Sequence, residues 1–494
     1  MRHHPRPALA AFVLAALWPA CAPAADLASF ERHFVDATMR VDFYHAGDAK
    51  DETATLDTVY RQGTWAGSRV HLVDPLEVGR SVVEVRDPAS KQLLFSKRFD
   101  SYFGEYRTTG PAAKGVKRTY HESALVPYPK GKVALAVKVR QRDGSHRTLL
   151  ETVIDPDSVT INREPLIDGV TVLDLHRSGD PHAKVDVAIV AEGYTAAERV
   201  KLEADLARYA KVLLSAEPFA SLKDRFNVRG VWKPSQQSGC DEPSRGVWKA
   251  TAVGVGFDAL GSERYLLTED NRALRDIAAH VPYDALYIMV NTPRYGGGGI
   301  YNLYCTFSTD NQWSPYIFLH EFGHTFAALA DEYYTSNVAY NEFFPKGVEP
   351  TEPNITALLD PAKLKWKDLV TPGTAVPTPW EKSPYDARDN AFQKERESLN
   401  AEIARAMRSG KPRAEVDALK AKSEKLSRDH AKRMDADLAR SAFVNRVGAF
   451  EGAGYAAQGL YRPALDCIMF SKGGKPFCPV CARAIRQVIE QYGE

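Results

Sequence analysis

The chain has 494 residues, with 64 lysines and arginines against 63 aspartates and glutamates and a formal net charge of +1. So even a balance gives no global field to gather nucleic acid or an anionic membrane, and neither is expected as a partner. The length exceeds one ordinary core and favours two or three domains with ample buried surface. The first residues read as a signal peptide over 1–24: Arg2, His3, His4 and Arg6 precede the apolar run Ala8 to Ala20, and Ala22-Pro23-Ala24 supplies a small-residue cleavage site. That run is well short of the ~20 residues a bilayer span needs. The mature chain is therefore expected to be exported to the periplasm, cell surface or medium, with no integral membrane span.

Residues 26–162 carry short strand patterns, among them Ser81 to Val85 and the alternating Val133 to Val139, with Asp143-Gly144 as a hairpin turn into Thr148 to Ile154. A β-sandwich domain is expected there. It clusters no histidines, cysteines and carboxylates, so its role is packing or substrate orientation. From residue 170 to 494 the character is α+β, a mixed α/β catalytic domain. Val187 to Val190 suits a buried strand, and Thr195 with Glu198 forms a capping box opening a helix to about Leu214. Strands are expected at Phe226 to Trp232 and Ala285 to Val290, with a helix near Ala273 to His280 between them. The glycines Gly296 to Gly299 lack the following helix and Lys-Ser/Thr of a phosphate loop. They are expected to form a flexible turn feeding an edge strand, Ile300 to Tyr304, that could pair with an extended substrate, with Gly298 and Tyr301 as contacts. Residues 387–442 are dense in charge and alanine, with Leu399, Ile403, Leu419, Leu426 and Leu438 spaced along them and a break at Ser409-Gly410-Lys411-Pro412. They read as a helical-hairpin insertion, either inert or controlling access.

The chemistry concentrates after Ser314-Pro315, which can start a helix leading into His320-Glu321-Phe322-Gly323-His324. Histidines at i and i+4 project from one helix face, the spacing a tetrahedral ion needs, and the intervening Glu321 sits beside the metal without competing for it. Glu321 is then a general base for a zinc-bound water. A third ligand is needed; Asp331, seven residues past His324, is the first choice and Glu332 the alternative. Tyr333, Tyr334 and Tyr455 are candidate donors to a developing oxyanion, each weighed against a structural role. His176, His182 and His280 read as surface or satisfied core residues, and Met469 alone as core packing. The cysteines past the signal peptide are Cys240, Cys305, Cys467, Cys478 and Cys481. In an oxidising compartment disulfides persist, and Cys240 to Cys305 and Cys467 to one of Cys478 and Cys481 are the expected pairs. The Cys478-Pro479-Val480-Cys481 spacing also suits redox chemistry or zinc, but a zinc ribbon would need a second ligand pair and only Cys467 is near.

His320-Glu321-Phe322-Gly323-His324 followed by Leu329-Ala330-Asp331-Glu332-Tyr333 resembles the IgA-peptidase family of bacterial zinc metallopeptidases. Tyr295 to Asn302, Phe450 to Tyr455, Leu460 to Pro463, Cys467-Ile468-Met469 and Phe477 to Cys481 extend the likeness from about Asp186 to the end. The resemblance implies a zincin-type, metzincin-like catalytic domain behind a β-rich N-terminal domain. It also implies one catalytic zinc on His320 and His324, Glu321 as base, and Met469 in a turn beneath the ion. Two features depart from the HExxHxxGxxH pattern: Asp331 is seven rather than six residues past His324, and Ala328 stands where glycine is expected. The expected function is an exported zinc endopeptidase acting on polypeptides. The alternatives are a surface binding protein with a structural metal site, against which Glu321 argues, and an envelope hydrolase of peptide cross-links.

Overall fold

The computed structural model describes residues 29–493 apart from residues 337 and 342. The expected signal peptide lies outside the described residues.

Seven strands come first: β1 Phe34–Gly47, β2 Glu52–Gln62, β3 Ser81–Arg86, β4 Leu93–Phe99, β5 Arg118–Pro129, β6 Val133–Arg140 and β7 His146–Ile154. They make two antiparallel sheets, β2-β1-β5 and β4-β3-β6-β7. Alternation along β6 sends Val133, Leu135 and Val137 inward, where they meet Val83 and Val85 of β3 and Met39, Val41 and Phe43 of β1 in one core. Each such side chain stabilises by roughly 1.5–3 kcal/mol when fully buried. The β6–β7 turn is closed by the Asp143 carboxylate, which accepts from Ser145, with Gly144 left-handed at φ 82. A short helix, Tyr102–Tyr106, capped by the Ser101 hydroxyl, carries Glu105 toward the second domain.

The second domain is built on a six-stranded sheet. Its strands are β8 Thr171–His176, β9 Val185–Glu192, β10 Phe226–Trp232, β11 Ala285–Val290, β12 Gly297–Ile300 and β13 Tyr304–Ser308, in the order β12-β13-β11-β9-β10-β8. The inner pairings are parallel and the edge strands β12 and β8 antiparallel. All eight residues of β9 are buried, as a central parallel strand requires when helices cover both faces. Val185, Val187 and Ile189 face Leu202, Leu206 and Tyr209 of helix α1, Arg199–Ser215. Ala188 and Val190 face Leu274 and Ile277 of helix α2, Asn271–Ala278. The Thr195–Glu198 capping box is formed ahead of α1.

Helix α3, Ser314–Ala327, packs Phe318 and Phe322 into the α1 side of the sheet. Residues Lys382–Arg408 and Arg413–Leu438 form α4 and α5, a hairpin in which Phe392 stacks on His430 and Leu399, Ile403, Val416 and Met434 are buried, while Tyr385 packs on Trp380 and Phe470. A two-stranded ribbon, β14 Val447–Ala453 and β15 Ala456–Ala464, leads to the C-terminal helix α6, Pro479–Tyr492, which packs on α3. No helix among the described residues is long and apolar enough to cross a membrane.

Three expectations need correction. Cys467, Cys478 and Cys481 are free thiols, so the disulfide expected from Cys467 to one of the other two is not formed. Cys240 and Cys305 are free thiols as well: Cys305 on β13 joins the core on the α1 side of the sheet and Cys240 the core on the α2 side, so the sheet stands between them. The glycine run is not a flexible turn, because Gly297 to Gly299 are themselves strand β12. Glycine carries no strand propensity, so this strand is silent in the sequence.

Candidate active site

Helix α3 lies across the sheet beside β12, and the glycines are what allow it. A Cβ on Gly299 would stand 2.5 Å from the Glu321 carbonyl oxygen and 2.9 Å from His324 Cβ, and one on Gly297 would stand 2.9 Å from Glu321 Oε1. Gly296 and Gly298 face the other way, where Phe257 and Leu267 fill the space a side chain would take. Gly298 is therefore a packing position. The outer edge of β12 at Gly297 is itself taken, since Gly297 bonds to Arg264 and Leu266 through its N–H and C=O. Tyr301, the other proposed contact, is buried, and its ring fits over Gly79 of the first domain.

α3 ends at Ala327 because Ala328 turns left-handed at φ 49, with the N–H groups of Ala328 and Leu329 returning to the carbonyls of His324 and Gly323. That reversal sends the chain back over the helix. The Asn354 side chain then clamps Ala330, accepting from its N–H at 2.7 Å and donating to its carbonyl at 2.9 Å, while the Glu332 N–H donates to the Met469 carbonyl at 2.8 Å. Held on both sides, Asp331 points at the helix. Its Oδ1 lies 2.9 Å from His320 Nε2 and 3.2 Å from His324 Nε2, and the two Nε2 atoms are 3.2 Å apart.

These atoms converge on one point without satisfying one another. His320 Nδ1 lies 3.0 Å from the Ile468 carbonyl and His324 Nδ1 abuts the Leu329 carbonyl. A carbonyl can only accept, so each Nδ1 carries a proton and, in the neutral ring, each Nε2 presents a lone pair. Asp331 Oδ1, buried, has no hydrogen-bond donor. The field at this point calls for positive charge: burial pulls the His324 imidazole down, yet Asp331 outweighs it and pushes it up to about 9, while the histidines hold Asp331 well below the usual carboxylate range. Two imidazole nitrogens and one carboxylate oxygen fit the donor set of a catalytic zinc.

Glu321 occupies the same cleft, its carboxylate over Gly297; burial raises its pKa, opposed by His320 and His324. Met469, fully buried, sets its sulfur under Gly323, where a Cβ would meet it at 2.9 Å. Of the tyrosines, Tyr455 donates to Asp331 Oδ2 at 2.6 Å and so steadies that carboxylate. Tyr334 donates to Asp386 at 2.6 Å and is committed elsewhere. The Tyr333 phenol accepts from Arg264 at 2.8 Å, which leaves its own proton to give. Glu332 turns away from the histidines into a pocket with Cys467, Cys478 and Cys481. His176 and His280 bond to backbone carbonyls away from the cleft, and His182 to Gly67 and Asp36.

Sequence reasoning missed the cleft's cations, Arg264, Arg396 and Lys472, and the part the first domain takes in it through Asp100 and Glu105. Glu105 accepts from the Tyr340 hydroxyl, and burial pushes its pKa up to about 8. Only the capped helix at 102–106 places it there, and no motif marks that helix.

The paired-histidine helix, the glutamate beside it and the carboxylate that closes the group all line one cleft. Residues 173–489 match the family described as IgA Peptidase M64, and residues 29–151 match the Peptidase M64 N-terminus. The chain belongs to the IgA peptidase M64 family, and it is a peptidase with a polypeptide substrate. No individual curated protein matched it significantly.

Proposed function

We propose that the protein is an exported zinc-dependent endopeptidase with a metzincin-like catalytic domain, in which His320, His324 and Asp331 hold the ion. The observation that carries this reading is the convergence of three donor atoms, His320 Nε2, His324 Nε2 and Asp331 Oδ1, beside the carboxylate of Glu321 over Gly297. When bound, zinc polarises the scissile carbonyl and acidifies water at that point. Glu321, one residue along the helix from His320, takes the proton from the attacking water and hands it to the leaving amine. Its raised pKa brings it nearer to the working pH, as a residue that must both take and return a proton requires. The Tyr333 hydroxyl, oriented by Arg264, donates to the oxyanion that develops. Met469 and Gly323 fix the floor on which His320 and His324 stand.

The test pairs zinc content with cleavage of casein by the wild-type chain, a chelator-treated sample and Glu321→Ala. The expected result is about one zinc bound at this site in wild type and in Glu321→Ala, with cleavage lost by 10²–10⁴-fold in the variant, the range of general acid–base catalysis. Cleavage by Glu321→Ala at the wild-type rate would overturn the assignment.

A further inference from the structure

We propose that Cys467, Cys478, Cys481 and Glu332 hold a second, structural zinc ion that ties the floor of the active site together. One ligand atom from each of the four residues lies within 4.8 Å of all the others, and all four residues are buried. The Cys467 and Cys481 sulfurs are 3.9 Å apart and the Cys481 sulfur is 3.3 Å from Glu332 Oε1. Tetrahedral zinc with Zn–S bonds of ~2.3 Å separates two sulfurs by ~3.8 Å. The Cys478 N–H already points at the Cys467 sulfur, at 3.3 Å, as it would at a ligating thiolate.

An independent observation comes from Glu332. Its Oε1 accepts from Asn354, but Oε2 is buried without a partner, and no lysine or arginine forms an ion pair with it among the described residues. A buried carboxylate without a cation in contact is expensive, and Arg462 acts on Glu332 only from beyond ion-pair distance. A disulfide between any two of the three cysteines would leave that cost untouched and strand the third thiol. A zinc ion matches all four groups with a Cys3Glu set, the closed coordination of a structural site.

The position gives the ion a purpose. Glu332 follows Asp331 directly, Cys467 lies two residues before Met469, Cys478 caps α6 and Cys481 sits in its first turn. One ion would join the 331–332 segment, the 467–469 turn and α6, and from those segments come Asp331, the Ile468 carbonyl that orients His320, and the Met469 sulfur. Its ligands would act on catalysis by positioning.

The experiment uses the full mature chain and reads metal, independently of activity. Wild type should bind two zinc equivalents, and His320→Ala combined with His324→Ala should bind one. Replacing that remaining ion by cobalt should give a sulfur-to-cobalt charge-transfer band. Cys478→Ser with Cys481→Ser in the same background should lose both ion and band; if that variant does not fold, the cobalt spectrum of the histidine variant decides alone. A histidine variant without metal overturns the proposal, and so does an intact wild type carrying a Cys467–Cys481 or Cys467–Cys478 disulfide by mass spectrometry, which would make the cluster a redox pair. The peptidase reading fails separately: a chain that cleaves nothing yet keeps a thiolate-bound ion supports this site and refutes that one.

Discussion

Gly299→Ala tests how the catalytic helix is held. The new Cβ would stand 2.5 Å from the Glu321 carbonyl oxygen, where ordinary contact begins at 3.4 Å, so strand and helix must part by about 0.9 Å. The obstacle is helix backbone and cannot swing aside. Overpacking of this kind costs about 1–3 kcal/mol, and a displacement near 1 Å at reacting groups costs on the order of 10² in rate. Gly298→Ala, one residue away in the same strand, meets only the far end of the Leu267 side chain at 2.7 Å, which can rotate, and should cost less on both measures. The assays are thermal unfolding and casein cleavage on the two variants side by side. If the run were a flexible turn instead, Gly299→Ala would stabilise by ~0.4–1 kcal/mol through the unfolded chain. A Gly299→Ala protein as stable as wild type would refute the close-packing argument.

Tyr455→Phe removes the hydroxyl that donates to Asp331 at 2.6 Å and should weaken zinc binding by roughly 10–100-fold, measured by chelator competition, with the fold intact. Ala328→Gly relieves a left-handed residue at φ 49 and should raise the unfolding midpoint by up to about 1 kcal/mol of stability; a lower midpoint would mean the turn is not strained. Burial holds Glu105 up to about 8, above the ~4.3 of an unfolded glutamate, so the native chain keeps a proton that the unfolded chain releases. The stability this contributes is complete below the unfolded value and is lost as pH rises through 8. Glu105→Gln, neutral throughout, should flatten that decline, and parallel curves of midpoint against pH for variant and wild type would contradict it.

The family was legible from the segments around His320 to Tyr333, Phe450 to Tyr455 and Cys467 to Cys481, and the match over residues 173–489 agrees. Strands Phe226–Trp232 and Ala285–Val290 were readable to the residue because runs this short, rich in β-branched and aromatic residues and bounded by turns, suit a buried strand better than a helix. β12 was not, since nothing in four glycines announces a strand; their spacing records the closeness of α3 on one face and of Phe257 and Leu267 on the other. The disulfide Cys240–Cys305 failed for a related reason, because spacing in sequence does not reveal on which face of a sheet a thiol emerges. Arg264 and Glu105 were invisible because each reaches the cleft through tertiary packing alone.

The adjacent acids Asp331 and Glu332 show where reading by motif stops. In the sequence they compete for one role, the third ligand after His320 and His324. In the fold they lie on the irregular segment that follows α3, and their side chains join different groups. Asp331 faces the helix and Glu332 the cysteines, so choosing one for the histidines does not make the other idle. It supplies the fourth group that the Cys478-Cys481 pair and Cys467 lacked when only cysteines were counted. The clamp of Asn354 on Ala330 and the Glu332 N–H on Met469 fix the register of that segment. A slip of one residue there would move one acid into the other's place and leave the remaining site with Ala330 or Tyr333 instead of its carboxylate. On this argument Asn354 governs both metal positions at once, so Asn354→Ala should weaken the two together, whereas Tyr455→Phe should weaken only the one that holds Asp331.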